Sequence, residues 1–362
     1  MRVLIAAGGT GGHIYPGIAV AKEIMRREPA SVVRFVGTAK GLEKRVVPNA
    51  GFELSFIESA GLKNVGLVAK LRGLLLLPKS FLSARRLIRE FRPDIVVGAG
   101  GYVSGPVLLA ASLMKLPTLV MESNALPGWT NRVLARFVDK AAVSFAEAMP
   151  HFHGKAVLTG NPVRSEFFDI PAKTHVSEKI SLLVFGGSQG ARAINEAVLY
   201  ALPHLAKEKD RLRVTHQSGT ADFENTERRY AEASWSNNVE VKAYIDDMVS
   251  EFTKADLIIS RAGATTTAEL LAAGKAAIMI PFPLAADDHQ RRNAEALQST
   301  GAARMILQKD LTGRRLADEL KVLLGAPDKL NDMENAARKL ARRDAAEKTV
   351  DLMRELLTQC KN

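Results

Sequence analysis

The stretch of this sequence whose residue types best suit chemistry is Gly8-Gly9-Thr10-Gly11-Gly12-His13. The apolar run Val3–Ala7 precedes it and apolar residues at helical spacing follow it, which predicts a strand, a glycine turn and a helix. Such a turn lets the backbone approach a ligand, and a helix start offers N–H groups to an anion. We therefore expect a site for a phosphorylated ligand or a developing negative charge, with His13 as a candidate for proton transfer. The stretch completes neither a Walker A loop nor a dinucleotide fingerprint, so no known nucleotide motif identifies its ligand. A tight turn that only packs the strand on the helix would therefore also fit.

Two further glycine-containing turns follow apolar runs in the first half of the chain. Gly98–Pro106 follows the run that ends at Val97, and Glu122–Gly128 follows Thr118–Met121. Glu122 and Asn124 are polar residues at the end of a buried strand. A buried carboxylate at such a place indicates a specific role for Glu122. Helix capping would also account for Ser104 and Asn124.

The second half repeats the opening pattern. The apolar strand Lys179–Phe185 leads into Gly186-Gly187-Ser188-Gln189-Gly190-Ala191, whose main chain and Ser188 hydroxyl suit a phosphate. Farther on, Arg261–Leu270 predicts a helix whose first N–H groups form an anion site. In that helix Glu269 would accept hydrogen bonds from a sugar diol, although Thr266 and Glu269 also have the spacing of a capping box.

One more polar cluster, residues 281–294, follows the strand 276–281. Within it Gln290 and Asn293 carry neutral amides of the kind that bind sugar hydroxyls. A single one of these residues would not predict a sugar-binding site.

The elements that must position these residues alternate along the chain. Short apolar runs without two-residue alternation predict strands buried on both faces of a parallel sheet. In the first half we predict strands at 3–7, 32–37, 54–58, 94–98, 118–121 and 140–144, and helices at 13–28, 42–48, 67–91, 105–114 and 129–136. In the second half we predict strands at 179–185, 212–216, 239–241, 256–260, 276–281 and 303–306, and one or two helices over 328–362.

This order predicts an α/β fold with two doubly wound parallel sheets, in which ligands bind beyond the carboxyl ends of the strands. The rhythm pauses at 160–167, where Asn161-Pro162 disfavours helix. We place the domain boundary there, giving domains 1–162 and 163–341, with a C-terminal helix near 342–362 that packs back on the first.

Composition narrows the class of partner. The 362 residues suit two domains, the single Cys360 fits a reducing compartment, and no apolar run approaches the length of a membrane span. A net charge of +11 indicates an anionic partner. Residues 63–92 hold eight basic residues against Glu90 alone, interleaved with leucines. That mixture favours an anionic membrane surface over nucleic acid, although an amphipathic helix with a solvated basic face would also fit.

Seven motifs, in order and at the expected spacing, together resemble the MurG family of bacterial lipid-I N-acetylglucosaminyltransferases. They are GGTGGH at 8–13, GGYVSGP at 100–106, ESNALPG at 122–128, GNPVR at 160–164, GGSQGA at 186–191, RAGATTTAEL at 261–270 and PFPLAADDHQRRNA at 281–294. The resemblance spans nearly the whole chain. It implies a GT-B glycosyltransferase fold, with two Rossmann-like domains facing a cleft. It further implies that the first domain binds the acceptor and the membrane, and that the second binds UDP-N-acetylglucosamine (UDP-GlcNAc).

The resemblance also assigns candidate roles to single residues. Catalysis or acceptor binding falls to His13, Tyr102 and Glu122. Contacts to the donor nucleotide and sugar fall to Thr10, Gly11, Gly12, Asn124, Arg164, Ser188, the backbone of Ile245, Ala264, Thr265, Thr266, Glu269 and Gln290. The basic–apolar stretch 67–91 matches the region of the family's membrane-docking patch.

The implied reaction is an inverting transfer of N-acetylglucosamine to the C4 hydroxyl of the N-acetylmuramoyl group of lipid I, which forms lipid II and UDP. His13 is our candidate base, although Glu122 could instead be the base or orient His13. Main-chain N–H groups near 264–267 would stabilise the leaving pyrophosphate, so we expect no metal and no cofactor. The expected location is peripheral, on the cytoplasmic face of the bacterial plasma membrane. The alternatives are a related enzyme with another glycolipid acceptor, a UDP-sugar 2-epimerase, and a non-catalytic binding or scaffold protein.

Overall fold

The computed structural model of the chain describes residues 1–9, 11–39, 41–58, 67–173, 179–187 and 190–359, without the side chains of 67–77 and 286. The chain divides into two compact units. The first contains Met1–Arg164 and Arg342–Asn362, and the second contains Ser165–Ala341.

The first unit is built on a seven-stranded parallel sheet in the order β3-β2-β1-β4-β5-β6-β7. The strands are β1 (Arg2–Ala7), β2 (Val32–Gly37), β3 (Glu53–Phe56), β4 (Ile95–Gly100), β5 (Thr118–Glu122), β6 (Lys140–Val143) and β7 (Ala156–Leu158). The helices are α1 (Gly11–Arg27), α2 (Glu43–Asn49), α3 (Leu67–Phe91), α4 (Ser104–Leu113) and α5 (Trp129–Leu134).

The second unit contains a six-stranded parallel sheet in the order β10-β9-β8-β11-β12-β13. Its strands are β8 (Ile180–Phe185), β9 (Leu212–Gln217), β10 (Val239–Lys242), β11 (Leu257–Ser260), β12 (Ala276–Met279) and β13 (Ala303–Met305). Its helices are α6 (Arg192–Ala201), α7 (Phe223–Glu232), α8 (Met248–Lys254), α9 (Ala264–Ala273), α10 (His289–Ser299), α11 (Gly313–Leu324) and α12 (Pro327–Leu340).

Burial explains why the strands form where the sequence predicts them. β1, β4 and β5 are almost wholly buried, since helices cover both faces of the sheet. The predicted strands and the five helices predicted in the first half are present with ends shifted by at most two residues, and the predicted doubly wound α/β class is confirmed. The predicted helical region 328–362 contains two helices, which end at Leu340 and Gln359. The sequence did not predict β7, the short 3-10 helix Ala146–Phe152 before it, or the helices α7, α8 and α11 of the second unit.

The last helix, α13 (Ala345–Gln359), packs on α1 in the first unit. Val350 and Met353 join the apolar cluster that contains Ile14 and Ile24. The Arg354 guanidinium donates to Glu28 at 2.7 Å on the rim of this contact. In the part of the chain that the structure describes, no helix is long and apolar enough to span a bilayer.

Candidate active site

Four of the motif turns, those that follow β1, β4, β8 and β11, lie at the two places where strand order reverses. In the first unit this point is between β1 and β4, and in the second it is between β8 and β11. Ligands of open α/β sheets bind beyond the carboxyl ends of strands at such switch points. Each unit therefore has a candidate site at its own switch point.

A buried carboxylate from α2 holds the first glycine turn. Glu43 accepts hydrogen bonds from the main-chain N–H of Gly9 at 3.0 Å, and from the N–H and hydroxyl of Thr38 at 2.8 and 2.9 Å. The side chain is fully buried, and a Cβ on Gly8, Gly37 or Gly41 would crowd its carboxylate. The Gly9 N–H, which a phosphate would use in such a turn, is therefore already paired with a negative charge.

His13 lies in the first turn of α1, against the end of β4. Its Nδ1 is 3.3 Å from the carbonyl oxygen of Gly8. Because a carbonyl only accepts, this contact favours the tautomer with the proton on Nδ1 and the acceptor lone pair on Nε2. Gly100 has φ +113°, and a Cβ there would lie 2.3 Å from the His13 ring. The close approach of β4 to the imidazole thus requires glycine.

Ser104 fastens this arrangement from the first turn of α4. Its buried hydroxyl accepts from the N–H of Gly100 at 2.9 Å and lies 2.9 Å from the carbonyls of Ala6 and Gly100. One side chain therefore connects the ends of β1 and β4 on either side of the switch point. Its partners are strand ends, which corrects the alternative reading of Ser104 as a helix cap.

Glu122 is buried at the end of β5, and both of its oxygens are engaged. Oε1 accepts from the main-chain N–H and the side-chain amide of Asn124, at 2.9 and 3.0 Å. Oε2 accepts from the N–H of Gly128 at 3.1 Å and from the Asn131 amide at 2.9 Å. Burial raises the pKa of the Glu122 carboxyl, and these hydrogen bonds oppose that rise. The carboxylate thus anchors the 123–128 loop and the start of α5.

The remaining predicted residues of the first unit surround this loop and turn. Tyr102 is 54% exposed, and its ring lies close to Gly9. Gly11 and Gly12 begin α1, so their N–H groups belong to the first helical turn. The Arg164 guanidinium is 6.0 Å from the centre of the Tyr15 ring. Thr10 falls outside the described residues.

The second glycine turn is organised by a side chain from β9. Gln217 donates its amide N–H to the Gly187 carbonyl at 2.8 Å and accepts the Ile245 N–H at 2.8 Å. Because the Ile245 N–H is bonded to Gln217, the predicted contact of the Ile245 backbone with a ligand would use its carbonyl oxygen. Gly187 and Gly190 have φ +98° and +75°, a conformation that favours glycine. Ser188 lies outside the described residues.

Helix α9 starts at the β11 switch point without a side-chain cap. Its N-cap is Gly263, so Thr266 lies inside the helix, and the alternative capping box of Thr266 and Glu269 is wrong. The N–H groups from Ala264 to Thr266 have no acceptor within the helix. Among the described residues, the Thr265 hydroxyl is buried and has no hydrogen-bond partner. Glu269, half-buried, lies one turn farther along.

Gln290 and Asn293 on α10 support the neighbouring loop. The Gln290 side-chain oxygen accepts a hydrogen bond from the Phe282 N–H at 3.0 Å. The NH2 group of the same side chain is therefore the part suited to a ligand. The Asn293 amide donates to the Ala262 carbonyl at 3.1 Å, next to the start of α9. Arg261, directly after β11, donates to the Ile280 and Pro281 carbonyls, directly after β12, and burial lowers the pKa of its guanidinium to about 10.

The sequence analysis did not identify the residues that hold the turns. Glu43, Gln217 and Asn131 are buried polar groups bonded to the candidate site turns and loop. Gln217 had a readable signal in its position, because it directly follows the predicted strand 212–216, as Glu122 directly follows the predicted strand 118–121. Within the described ranges, no group of three or more His, Cys, Asp and Glu side chains could hold a metal ion.

Comparison with known protein families gives a match in each unit. The glycosyltransferase family 28 N-terminal domain matches residues 3–143, and the family 28 C-terminal domain matches residues 181–349. A UDP-N-acetylglucosamine--N-acetylmuramyl-(pentapeptide) pyrophosphoryl-undecaprenol N-acetylglucosamine transferase of Anaeromyxobacter dehalogenans is 48% identical over 99% of this chain and 93% of its own.

Solved structures extend the comparison. The crystal structure of Acinetobacter baumannii MurG is 32% identical, has a TM-score of 0.80, and is covered over 99% of its length by 98% of this chain. A Neisseria meningitidis UDP-GlcNAc 2-epimerase bound to UDP-GlcNAc has a TM-score of 0.71 over 98% of this chain and 100% of its own, but only 15% identity, so it shares the fold alone. The full-length similarity and the GT-B arrangement of two parallel sheets establish that this chain belongs to the MurG family within glycosyltransferase family 28.

Proposed function

We propose that this chain transfers N-acetylglucosamine from UDP-GlcNAc to the C4 hydroxyl of the N-acetylmuramoyl group of lipid I, forming lipid II and UDP for peptidoglycan synthesis. The observation that carries the division of labour is the difference between the first glycine turn and the start of α9. Glu43 already pairs the Gly9 N–H of the first turn, which carries an imidazole. The second unit has an uncapped helix start at its switch point. This contrast supports proton chemistry in the first unit and pyrophosphate binding in the second.

His13 acts as the general base in this proposal. The Gly8 carbonyl holds the proton on Nδ1, so Nε2 takes the proton of the acceptor hydroxyl as its oxygen attacks C1 of the donor sugar. The C1–O bond to UDP breaks as the new bond forms, which inverts the configuration at C1. The engaged oxygens of Glu122 support a positioning role for that carboxylate, with Asn124 held by it on the loop.

The leaving UDP is stabilised by the second unit. N–H groups of Ala264, Thr265 and Thr266 carry the partial positive charge of the α9 N-terminus and suit the developing charge on the pyrophosphate. The buried Thr265 hydroxyl adds a donor there. Glu269 would accept from the ribose diol, and the Gln290 NH2 group would donate to a sugar oxygen.

The other predicted contacts complete the proposal. Arg164, Ser188 and the Ile245 carbonyl are assigned to the nucleotide. Thr10, Gly11 and Gly12 are assigned to the donor sugar, and Tyr102 to the acceptor. The 48% sequence identity to a transferase over 99% of this chain favours this reaction over UDP-sugar epimerisation. The epimerase shares only the fold.

Replacing His13 by alanine tests the assignment of the base. We expect turnover to fall by about 10²- to 10⁴-fold, the usual contribution of a general base. UDP binding, measured by calorimetry, should stay unchanged, and His151→Ala, a histidine from another part of the same unit, is the matched control. Full activity of His13→Ala would remove the base assignment.

We also propose that α3 docks the chain on anionic lipid at the cytoplasmic face of the bacterial plasma membrane. Exposed Arg85, Arg86, Arg89 and Arg92, with Leu82, line a surface depression in which Glu90 is the sole acidic residue. The opposite side of the helix, with Ala84, Ile88 and Phe91, is buried in the core. The cationic face is therefore held outward by packing.

Charge reversal of Arg85 and Arg86 tests this docking surface. At about 1 kcal/mol for each basic residue near an anionic surface, binding to vesicles of anionic phospholipid should weaken by at least about 30-fold. Arg314→Glu with Arg315→Glu is a matched control, because Arg315 pairs with Glu319 as Arg86 pairs with Glu90, both at 2.8 Å. Vesicle binding that responds equally to both double variants would rule out a specific α3 surface.

A further inference from the structure

Gln217 occupies a central position at the ligand edge of the second sheet. It is the last residue of β9 and is 1% exposed. Its register partners are Phe185 and Lys242, the last residues of β8 and β10. The glycine turn 186–190 continues from one of these neighbours, and the segment that reaches Ile245 continues from the other.

The Gln217 side chain bonds to both continuations at once. Its NH2 group donates to the Gly187 carbonyl, and its oxygen accepts from the Ile245 N–H, each at 2.8 Å. These partners lie 30 and 28 residues away along the chain. A neutral amide suits this place, because it supplies one donor and one acceptor simultaneously.

The next residue supports the other end of the same turn. The Ser218 carbonyl lies so close to Gly190 that a Cβ there would be 1.9 Å away. The buried Asn195 amide donates to this carbonyl at 2.9 Å and to the Asp222 carboxylate at 2.8 Å. Both flanks of the turn are therefore tied to the end of β9, and Gln217 alone among these contacts also reaches the Ile245 segment.

We propose that Gln217 is a positioning residue for the donor nucleotide: its amide fixes the phosphate-side turn relative to the Ile245 main chain, so that UDP-GlcNAc affinity depends on one buried side chain that does not touch the ligand. This inference rests on the proposed assignment of UDP-GlcNAc to the second unit. A glutamate at 217 would present only acceptors to the Gly187 carbonyl while ionised. Once protonated, it would again supply one donor and one acceptor.

Calorimetric titration of UDP-GlcNAc into the full-length protein between pH 5 and pH 8 tests the proposal. For Gln217→Met, which keeps the size and removes both bonds, we expect Kd to rise by about 10- to 100-fold at every pH. For Gln217→Glu we expect weak binding at pH 8 that recovers toward wild type near pH 5, because burial raises the pKa of a carboxyl. The neighbouring His216, whose pKa burial lowers to about 4, does not change charge in this range. Kd is therefore compared with wild type at each pH.

Asn238→Ala is the matched control. Asn238 is a buried amide at the opposite ends of the same strands, donating to the Lys209 and Leu212 carbonyls. Its loss should lower thermal stability and leave Kd and its pH dependence unchanged. If wild type binds UDP-GlcNAc and a folded Gln217→Met binds equally well, or Gln217→Glu shows no acid recovery, the inference is wrong. Should the methionine variant not fold, the pH response of Gln217→Glu decides alone. Failure of wild type to bind would instead refute the proposed function.

Discussion

Glu43→Gln changes one oxygen of the buried carboxylate under the first glycine turn into an NH2 group. The carboxylate serves three donors, two from Thr38 on Oε1 and one from Gly9 on Oε2. The single oxygen of glutamine best serves the two Thr38 donors, which leaves its NH2 group facing the Gly9 N–H. The substitution therefore disturbs the turn that carries His13 more than it disturbs α2.

The magnitude follows from the bond that is lost. A hydrogen bond to a charged group contributes about 1.5–3 kcal/mol, and the opposed donors add the cost of an unsatisfied group. We expect the free energy of unfolding of the first unit to fall by about 2–4 kcal/mol, which corresponds to a Tm lower by roughly 5–15 °C. A displacement of His13 of about 1 Å would reduce kcat by about 10²-fold.

The assay is UDP release with lipid I as acceptor, together with thermal unfolding. The affinity for UDP, measured by calorimetry, should stay near the wild-type value, because the nucleotide is assigned to the other unit. Glu23→Gln is the control, since Glu23 is a buried carboxylate near the far end of α1, bonded to Arg26 and Arg27. A kcat for Glu43→Gln within about twofold of wild type, despite the lower Tm, would refute the link between Glu43 and His13.

Two further predictions concern the turn at β4 and the core of the second unit. Gly100→Ala should lower kcat by at least about 10²-fold without changing the affinity for UDP, because the new Cβ would lie 2.3 Å from the His13 ring in the first unit. Gly154→Ala, also at positive φ but with open space around it, should leave kcat unchanged. Burial lowers the pKa of His216 to about 4. The unfolded state therefore binds more protons than the folded state between pH 6.5 and pH 4. As pH falls through that range, the second unit should lose about 3 kcal/mol of stability. Urea unfolding should show this loss in wild type and not in His216→Gln. An equal loss in both proteins would contradict the attribution of the stability loss to His216.

Local patterns predicted the fold because most strands are buried on both faces. Runs such as Val3–Ala7 and Lys179–Phe185 need no partner information to be recognised as strands, and the glycines after them mark the turns. β7 escaped because it has three residues, of which none is fully buried, so its pattern is too short and too exposed to stand out. Its place in the sheet depends on pairing with β6.

The candidate site was only partly predictable for a related reason. His13, Glu122 and Glu269 lie in or next to turns, where residue type and spacing carry information. Glu43 contacts Gly9 across 34 residues, and no local pattern encodes that distance. The capping-box reading at Thr266 failed because the helix starts earlier, at Ala264.

The transfer reaction itself gives the most direct test of the proposed function. Purified protein is incubated with lipid I and UDP-GlcNAc that carries a radiolabel in the sugar, and the lipid fraction is separated and identified. We predict label in a disaccharide lipid II with release of one UDP for each sugar transferred, and a rate of lipid labelling about 10²- to 10⁴-fold lower with His13→Ala. Wild-type protein that leaves lipid I unlabelled, or that converts UDP-GlcNAc without any lipid acceptor, would contradict the proposed function.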